Sequence, residues 1–470
     1  MNSIRYTRLR TAALLSVLAL FTTACGAPAA SPAAPTVKPP PAATSTSAAP
    51  TPAPTAAPTA APTPAEPTPP AIGGTITYWA AYDQVGPEFR TMSDVVIPLF
   101  NAQYPDVTVD LQGIPYDDLR QRLITGIGGG EVPDLLRADL VWVPEFAEQG
   151  ALMALDQEMD DFDEFAGRVF EGPLSTNFWE GQYYGLPLDT NTRVLFANRA
   201  VMDEANVAEM PTTIEEFETF MAAIAGLGDE RYGYAEGGTG AWNVLPWIWT
   251  FGGALTSDDY TTSSGFVNGE GTVAAVTKLK EWLDAGYLSP SILGGGSATS
   301  EQIGGGQAGT VLEGPWMPPI FEAQFPDLET ELAPIPAGPG GSVSVVGGED
   351  IVVFAQTENK EAALAFLRFL LSEEAQLEMG KVGQMPVLTA LSGNAELPEY
   401  FGTFSEQLET ARARTPHPNW PLIDEALGNA VLEALRGDKP VQQALDEAAV
   451  TIRVRRGVIV SGLAAILLVP

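Results

Sequence analysis

From residue 73 onwards, the apolar positions of the chain alternate between the period of a strand and the period of a helix. Strands, with β-branched, aromatic or alternating apolar residues, are predicted at residues 75–79 (TITYW), 107–111 (VTVDL) and 133–136 (PDLL). Helices, with apolar residues every three or four positions, are predicted at residues 87–104, 116–127, 213–224, 272–285, 360–371, 421–436 and 440–450.

Local signals mark where two of these helices begin or end. Thr213 and Glu216 form a capping box at the start of one helix, and the glycines at 128–130 predict the end of another. The order strand, helix, strand, helix, strand is typical of an α/β protein with a mostly parallel sheet. Because this rhythm breaks several times further on, the pattern favours two α/β lobes over a barrel.

Residues 1–24 have the pattern of a secretory signal peptide. Three arginines precede a short apolar run at residues 11–21, and small residues follow. The run is too short to span a bilayer. Cys25 follows Thr-Thr-Ala, which resembles a bacterial lipobox, so we expect Cys25 to be lipidated and held at the outer face of the cell membrane. Thr22 stands where the lipobox usually has leucine, which leaves open cleavage by ordinary signal peptidase with Cys25 as a free thiol.

The next segment, residues 25–72, is predicted to be a tether. From residue 26 to 71 it consists almost entirely of Pro, Ala, Thr and Ser, with only Lys38 and Glu66 charged. This composition cannot bury an apolar core and favours extended polyproline II. At about 3.1 Å per residue the tether could reach about 140 Å. A generic disordered or O-glycosylated spacer would have the same mechanics.

Composition excludes several classes of function. Cys25 is the only cysteine, so no intramolecular disulfide, cysteine-based zinc site or iron–sulfur cluster is possible. The only histidine, His417, lies between prolines and is expected to be exposed; no metal site and no cofactor is predicted. Removal of residues 1–24 takes away three arginines and no acidic residue, so the formal charge goes from −35 to −38. Such a charge disfavours nucleic acid and anionic ligands as partners.

Several phrases, in order, resemble those of extracellular solute-binding proteins of the maltose- and trehalose-binding type. They are FNxxYPxVxV (100–109), GExPD (130–134), FxxxGALxxLD (146–156), GxxYGLP (181–187), PTTxxEF (211–217), GxAGxxxxGPW (306–316), GG (347–348) and ALDxA (444–448). Asn198 also stands where that family has a Tyr-Asn pair. Each phrase is weak alone, but in order they are spread across nearly the whole of residues 73–450, and the chain is identified as a member of this family.

The resemblance implies a two-lobed, class II periplasmic-binding-protein-like α/β fold, whose lobes close on a ligand by hinge motion. The expected N-terminal lobe is residues 73–190 plus 348–388, and the C-terminal lobe is residues 191–347 plus 389–452. The resemblance also implies a monomeric sugar-binding subunit of an ABC-type importer, with permease subunits as partners. It would act outside the cytoplasm, at the cell surface or in the periplasm, and would not be an enzyme.

The same resemblance suggests which residues touch the ligand. A sugar has an apolar C–H face and a ring of hydroxyls, so its site needs aromatic rings together with carboxylates and amides. The expected ligand residues are Tyr82, Asp83, Gln84, Asp139, Asp189, Asn191, Trp242, Glu313, Trp316, Gly348 and Trp420. Trp247 and Trp249 belong to the same tryptophan-rich stretch as Trp242 and are expected in the core.

Other functions stay open at this point. An exported glycosidase would need two carboxylates facing across a cleft, and no hydrolase motif surrounds any of the acidic residues. Tyr183-Tyr184 could suggest a ferric-ion binder, and a phosphorylated or other anionic solute is disfavoured because few Arg or Lys residues lie near the expected cleft. A surface lectin that is not coupled to transport is the strongest alternative.

The end of the chain departs from the family pattern. Three arginines at residues 453–456 lead into an apolar run at residues 457–470. Basic residues before an apolar run resemble the start of a transmembrane segment, although the run is too short to cross. A permease fusion stub, a readthrough product, an added anchor or a packed terminal element would each fit.

Overall fold

The computed structural model describes residues 72–257 and 260–452. The predicted signal peptide, Cys25, all of the tether except residue 72, and the tail at 453–470 lie outside the described residues. The strands are β1 Gly74–Ala80, β2 Val107–Gly113, β3 Leu135–Asp139, β4 Phe178–Trp179, β5 Gln182–Tyr183, β6 Gly185–Asn191, β7 Val194–Asn198, β8 Tyr232–Ala235, β9 Ala308–Glu313, β10 Thr330–Ala333, β11 Gly347–Val353 and β12 Met385–Pro386.

Helices make up much of the rest of the described chain. They are α1 Pro87–Thr91, α2 Ile97–Gln103, α3 Tyr116–Gly129, α4 Val143–Glu148, α5 Leu155–Glu158, α6 Phe162–Ala166, α7 Glu171–Ser175, α8 Arg199–Glu204, α9 Ile214–Ala225, α10 Ala241–Thr250, α11 Glu270–Asp284, α12 Thr299–Gly304, α13 Met317–Gln324, α14 Lys360–Leu370, α15 Glu373–Gly380, α16 Phe401–Leu408, α17 Trp420–Arg436 and α18 Val441–Thr451. A π-helical turn, Met92–Val96, joins α1 to α2, and short 3-10 helices occur at Pro290–Leu293 and Thr389–Leu391.

The strands form one sheet in each lobe and a small hairpin. The first sheet has the order β12-β6-β11-β3-β1-β2, the second has the order β10-β7-β9-β8, and β4 pairs with β5. In the first sheet β1 is parallel to β2 and β3, whereas β11 is antiparallel to β3 and β6. Because β11 is antiparallel to both of its neighbours, β6 runs in the same direction as β1, β2 and β3, so four of the six strands of this sheet are oriented alike. Strand β6 leaves the first lobe and β11 returns to it, so the two neighbours run in opposite directions.

Local sequence signals placed the predicted strands correctly. The three predicted strands correspond to β1, β2 and β3, although β3 begins two residues later than predicted and extends to Asp139. The predicted start of this helix is confirmed, because Thr213 Oγ1 accepts a hydrogen bond from Glu216 N at 3.2 Å, and the Glu216 carboxylate accepts from Thr212 N at 2.9 Å, one residue before the N-cap. Gly130 ends α3 with a left-handed φ of 76°, a conformation that favours glycine. These features depend only on neighbouring residues, which is why the sequence reveals them.

Aromatic side chains fill the core of both lobes. In the first lobe, the Tyr78 ring meets Phe366 of α14 edge-on, with centroids 5.5 Å apart. In the second, Trp247 of α10 stacks on Phe217 of α9 at 5.6 Å and is fully buried. Trp249 is also buried, so the core positions predicted for Trp247 and Trp249 are confirmed. Each such ring contributes about 1.5–3 kcal/mol through burial.

The lobes are joined by crossing segments that are hydrogen-bonded to each other. The passage from β6 to β7 runs through Thr192 and Arg193, both buried. Thr192 Oγ1 donates to Val345 O at 2.8 Å, and Ser344 Oγ donates to Arg193 O at 2.8 Å. The segment before β11 therefore lies directly beside the first crossing. The residue limits given above for the two lobes stay predictions. Over the described ranges, the helices include none long and apolar enough to cross a membrane.

Candidate functional site: the cleft between the lobes

Two tryptophans form an aromatic wall beside the crossing segments. Trp242 lies at the start of α10 and Trp316 directly precedes α13; both are partly exposed. Their ring centroids are 6.3 Å apart and the ring planes differ by 30°. Partly exposed tryptophans can offer an apolar face to a ligand, in contrast to the buried Trp247.

Gly347 brings the amide of Asn191 next to this wall. Gly347 and Asn191 face each other in the β11–β6 register. A Cβ on Gly347 would lie 2.2 Å from Asn191 Oδ1 and 2.7 Å from the edge of the Trp242 ring, so glycine is required for both groups to approach. Asn191 is 6% exposed, and its buried Oδ1 has no hydrogen-bond partner among the described residues. A buried acceptor without a partner is costly, which indicates a place where a ligand donor can bind.

A second glycine keeps the crossing strands close. Gly348 has a φ of 134°, and a Cβ at this position would lie 2.4 Å from Asp189 O. The predicted ligand residue Gly348 therefore contributes space and backbone conformation. Its importance to the site comes from this close approach.

The second lobe holds a buried ion pair next to the wall. Arg193, 2% exposed, donates from Nη2 to Glu236 Oε2 at 3.0 Å and from Nη1 to Trp242 O at 3.1 Å. Glu236 also accepts from Tyr234 Oη at 2.6 Å. Glu313 lies nearby; burial raises its pKa, and Arg193 and a hydrogen bond from Thr299 Oγ1 at 2.6 Å oppose this effect. Arg193 thus fixes the backbone that carries Trp242.

The first lobe presents a row of three carboxylates at the same edge. In the sheet register Glu349 faces Asp139 on β3 and Asp189 on β6. Arg137 donates from Nε to Asp189 Oδ2 at 3.1 Å and from Nη2 to Glu349 Oε2 at 2.8 Å. Burial and the neighbouring Asp189 raise the pKa of Glu349 well above its usual value, although Arg137 acts in the opposite direction. Asp139, Glu349 and Asp189 are called the acidic row below.

One contact joins the acidic row to the other lobe. Arg414, in the loop before α17, donates from Nη2 to Asp139 Oδ1 at 2.9 Å. Its guanidinium carbon also lies 5.4 Å from the centroid of the Trp242 ring. Asp139 Oδ2 accepts from Tyr116 Oη at 2.9 Å. Asp139 and Trp242, predicted from different parts of the sequence, are therefore brought together by Arg414.

A cavity of about 380 Å³ lies between α3 and α17. Its walls include Tyr116 and Trp142 from the first lobe, and Gly240, Arg414 and Asp424 from the second. This volume is within the usual range for small-molecule sites. Trp420 also contributes to the wall, but it is only 2% exposed and packs in the core at the start of α17. Its position fits packing better than the stacking role expected from the sequence.

The residues predicted after β1 do not gather at the aromatic wall. Tyr82 is buried, with the Arg137 guanidinium 5.0 Å from its ring centroid, and burial raises its pKa to about 12. Asp83 is exposed and accepts a hydrogen bond from Val85 N at 3.1 Å. Gln84 Nε2 donates to Gly113 O at 2.8 Å. Tyr82 thus packs against Arg137, which bonds to the acidic row, whereas these contacts of Asp83 and Gln84 stabilise the local backbone.

The basic residues beside the cleft were not predicted from the sequence. Few Arg or Lys residues were expected there, yet Arg137, Arg193 and Arg414 all lie beside it, each bonded to a carboxylate. A signal was present for Arg137, which interrupts the apolar run of β3. His417 was also placed wrongly: it is 6% exposed, and its Nδ1 accepts from Asn419 N at 3.1 Å. The flanking prolines suggested an exposed loop, but the loop packs into the domain.

Comparison with known proteins agrees with the geometry. The model of the family described as bacterial extracellular solute-binding protein matches residues 82–377, more than half of the chain. The chain belongs to this family. Among curated relatives of this solute-binding protein, a binding protein of Brucella abortus (strain 2308) is 27% identical over 381 residues, which is 78% of this chain and 89% of the relative. The arabinooligosaccharide-binding protein of Bacillus subtilis (strain 168) is 28% identical over 382 residues, with 74% of this chain and 86% of the relative covered.

Solved structures show the same two-lobed fold. The GacH receptor of Streptomyces glaucescens GLA.O, determined unliganded and in complex with acarbose, superposes with a TM-score of 0.72 at 22% identity. The alignment covers 81% of this solute-binding protein and 98% of the receptor. The class II fold expected from the sequence is confirmed. Within residues 72–257 and 260–452, there is also no group of three or more His, Cys, Asp or Glu side chains arranged to hold a metal ion.

Proposed function

We propose that this solute-binding protein captures a neutral saccharide in the cleft and delivers it to the permease of an ABC-type importer. The observation that carries the proposal is the meeting of an aromatic wall with an acceptor that has no partner. Trp242 and Trp316 offer apolar faces, and Asn191 Oδ1 lies beside the Trp242 edge across Gly347. This combination matches the two surfaces of a sugar, its C–H face and its hydroxyls.

The charges of the cleft favour a neutral ligand over an anion. Arg137, Arg193 and Arg414 are each engaged by carboxylates of the protein itself. A phosphate or uronate would have to displace one of these partners, and the acidic row would repel it. Hydroxyl groups can instead donate to the remaining carboxylate oxygens without any such exchange. The names of relatives that bind oligosaccharides point in the same direction.

The proposal includes the place where the protein works. Export through residues 1–24 and lipidation of Cys25 would hold the protein at the outer face of the cell membrane, with residues 26–71 as the tether. A Streptomyces antibioticus relative that is 28% identical over 288 residues carries the name lipoprotein. A tethered monomer could search for ligand and still reach a permease in the same membrane. This role requires binding and release of the ligand and no chemical step.

Isothermal titration of the mature protein against a panel of neutral mono- and oligosaccharides tests the proposed ligand class. Inorganic phosphate, a uronate and ferric citrate serve as comparison ligands in the same buffer. We expect at least one neutral saccharide to bind with a Kd in the micromolar range or below, and the comparison ligands to give no heat of binding. Tight binding of an anion or of iron, with silence across the saccharides, would show that the proposal is wrong.

A further inference from the structure

The acidic row is an unusual arrangement for neighbouring strands. Asp139, Glu349 and Asp189 occupy facing positions on β3, β11 and β6, and like charges directly opposite each other destabilise a sheet. Two of these strands, β6 and β11, are also the strands that lead into and out of the second lobe. Electrostatic repulsion or attraction between Asp189 and Glu349 therefore acts on β6 and β11, close to the points where the chain crosses between the lobes.

Arg137 opposes this repulsion from the third strand of the row. It is 7% exposed and bonds to both Asp189 and Glu349, which are 4% and 20% exposed. Burial disfavours its charge, but the two carboxylates outweigh this effect and raise its pKa well above the usual value. A guanidinium can reach two carboxylates at once because its donors lie in a planar fork, whereas an ammonium acts as a single point charge.

We propose that Arg137 is a positioning residue: by bonding Asp189 and Glu349, each two residues from the end of its strand, it fixes the course of the strand ends that cross between the lobes and thus the opening of the lobes. The proposal rests on the proposed function only for its effect on affinity. The effect on lobe geometry is independent of the ligand. The Arg137 side chain lies under the cleft edge and acts through the two carboxylates.

The test measures the distance between the lobes in the ligand-free protein. Spin labels are placed on Ile124→Cys of α3 and Leu422→Cys of α17, since these exposed side chains (50% and 46%) lie on the two helices that flank the 380 Å³ cavity. The background is the mature chain with Cys25→Ser, so that no other thiol reacts. Pulsed electron paramagnetic resonance then gives the distribution of distances between the two spin labels for each variant.

We expect Arg137→Met to shift the distribution to longer distances and to broaden it, because Asp189 and Glu349 are left without their cation. Adding Glu349→Gln replaces the central carboxyl group of the row with an amide that stays neutral at every pH, so the double variant should return most of the distribution to the original distance. Arg137→Lys should lie between the original protein and Arg137→Met. Arg368→Met, which breaks a pair with Asp161 on the outer face of α14, is the matched control and should leave the distribution unchanged.

The outcomes separate positioning from simple packing. An unchanged distribution in Arg137→Met, or a double variant that is no closer to the original than the single one, overturns the proposal. If Arg137→Met fails to fold, the proposal requires that the double variant folds, and a double variant that also fails overturns it. Against a saccharide that the original protein binds, Arg137→Met should weaken Kd about 5-fold or more. If no saccharide of the panel binds, the proposed function is wrong, but the distance measurements on the ligand-free protein can still be interpreted.

Discussion

Replacing Trp316 with alanine separates ligand stacking from packing. The Trp316 ring is partly exposed, lies 6.3 Å from Trp242, and covers Gly314, where a Cβ would come within 2.1 Å of the ring. Its removal takes a stacking face from the cleft; because the ring is only partly buried where it packs against the cluster around Phe196, the buried residues of that cluster stay in place. The loss of one stacked aromatic in a binding site is worth about 1–3 kcal/mol, which corresponds to about 5- to 150-fold in Kd.

Trp247→Ala is the matched control because it changes the same residue type in the same lobe. Trp247 is fully buried, stacks on Phe217 at 5.6 Å, and donates from Nε1 to Tyr234 Oη at 3.2 Å. Its replacement leaves a cavity and should cost about 3–5 kcal/mol of unfolding free energy. The protein that remains folded should bind with nearly the original affinity.

Titration calorimetry and urea unfolding on both variants decide between the two roles. We expect Trp316→Ala to lose affinity while its unfolding free energy stays within about 1 kcal/mol of the original. Trp247→Ala should show the reverse. If Trp316→Ala binds the saccharide as tightly as the original protein, the aromatic wall is not the sugar-binding surface.

Three further predictions follow from other parts of the chain. Gly347→Ala should weaken saccharide binding in titration about 10-fold or more, because the added Cβ displaces both Asn191 and Trp242. Gly128→Ala is the control: a Cβ at Gly128 meets nothing within 4 Å, so this change should leave the affinity unaltered. Burial raises the pKa of Asp350, although Asn177 and Thr176 donate hydrogen bonds to its carboxyl group. As pH rises, the unfolded chain therefore loses the Asp350 proton before the folded protein does. The stability that the protonated carboxyl group contributes is full below the usual pKa of about 4 and declines above it. Between pH 4 and pH 7, urea unfolding should show a smaller loss of unfolding free energy for Asp350→Asn than for the original protein. Equal losses in the two proteins would contradict this reasoning. Cys25→Ala should move the protein from the membrane fraction to the medium, unless residues 453–470 also anchor it, which a truncation after residue 452 combined with Cys25→Ala would reveal.

Features set by neighbouring residues could be predicted from the sequence. The helix start at Thr213 and the helix end at Gly130 depend on side chains within a few positions, and both were predicted correctly. The antiparallel direction of β11 could not be predicted in this way, because it depends on where the chain returns more than 150 residues after β6. Its pairing is a property of the two-lobed topology.

Only some of the residues beside the cleft could be predicted, because many of their contacts join distant positions of the chain. Residue type and family resemblance pointed to Asn191, Trp242 and Trp316, which lie close together in the structure. They did not reveal Arg414, because its contact with Asp139 joins positions 275 residues apart. His417 illustrates the opposite error, since prolines on both sides describe only the local backbone and not the surface on which the loop packs.

A crystal structure of the mature protein with the saccharide that binds best in titration would locate the ligand directly. We expect one sugar ring to lie against Trp316, with a hydroxyl that donates to Asn191 Oδ1. A saccharide bound elsewhere on the protein, with Trp316 and Asn191 free of contact, would contradict this expectation.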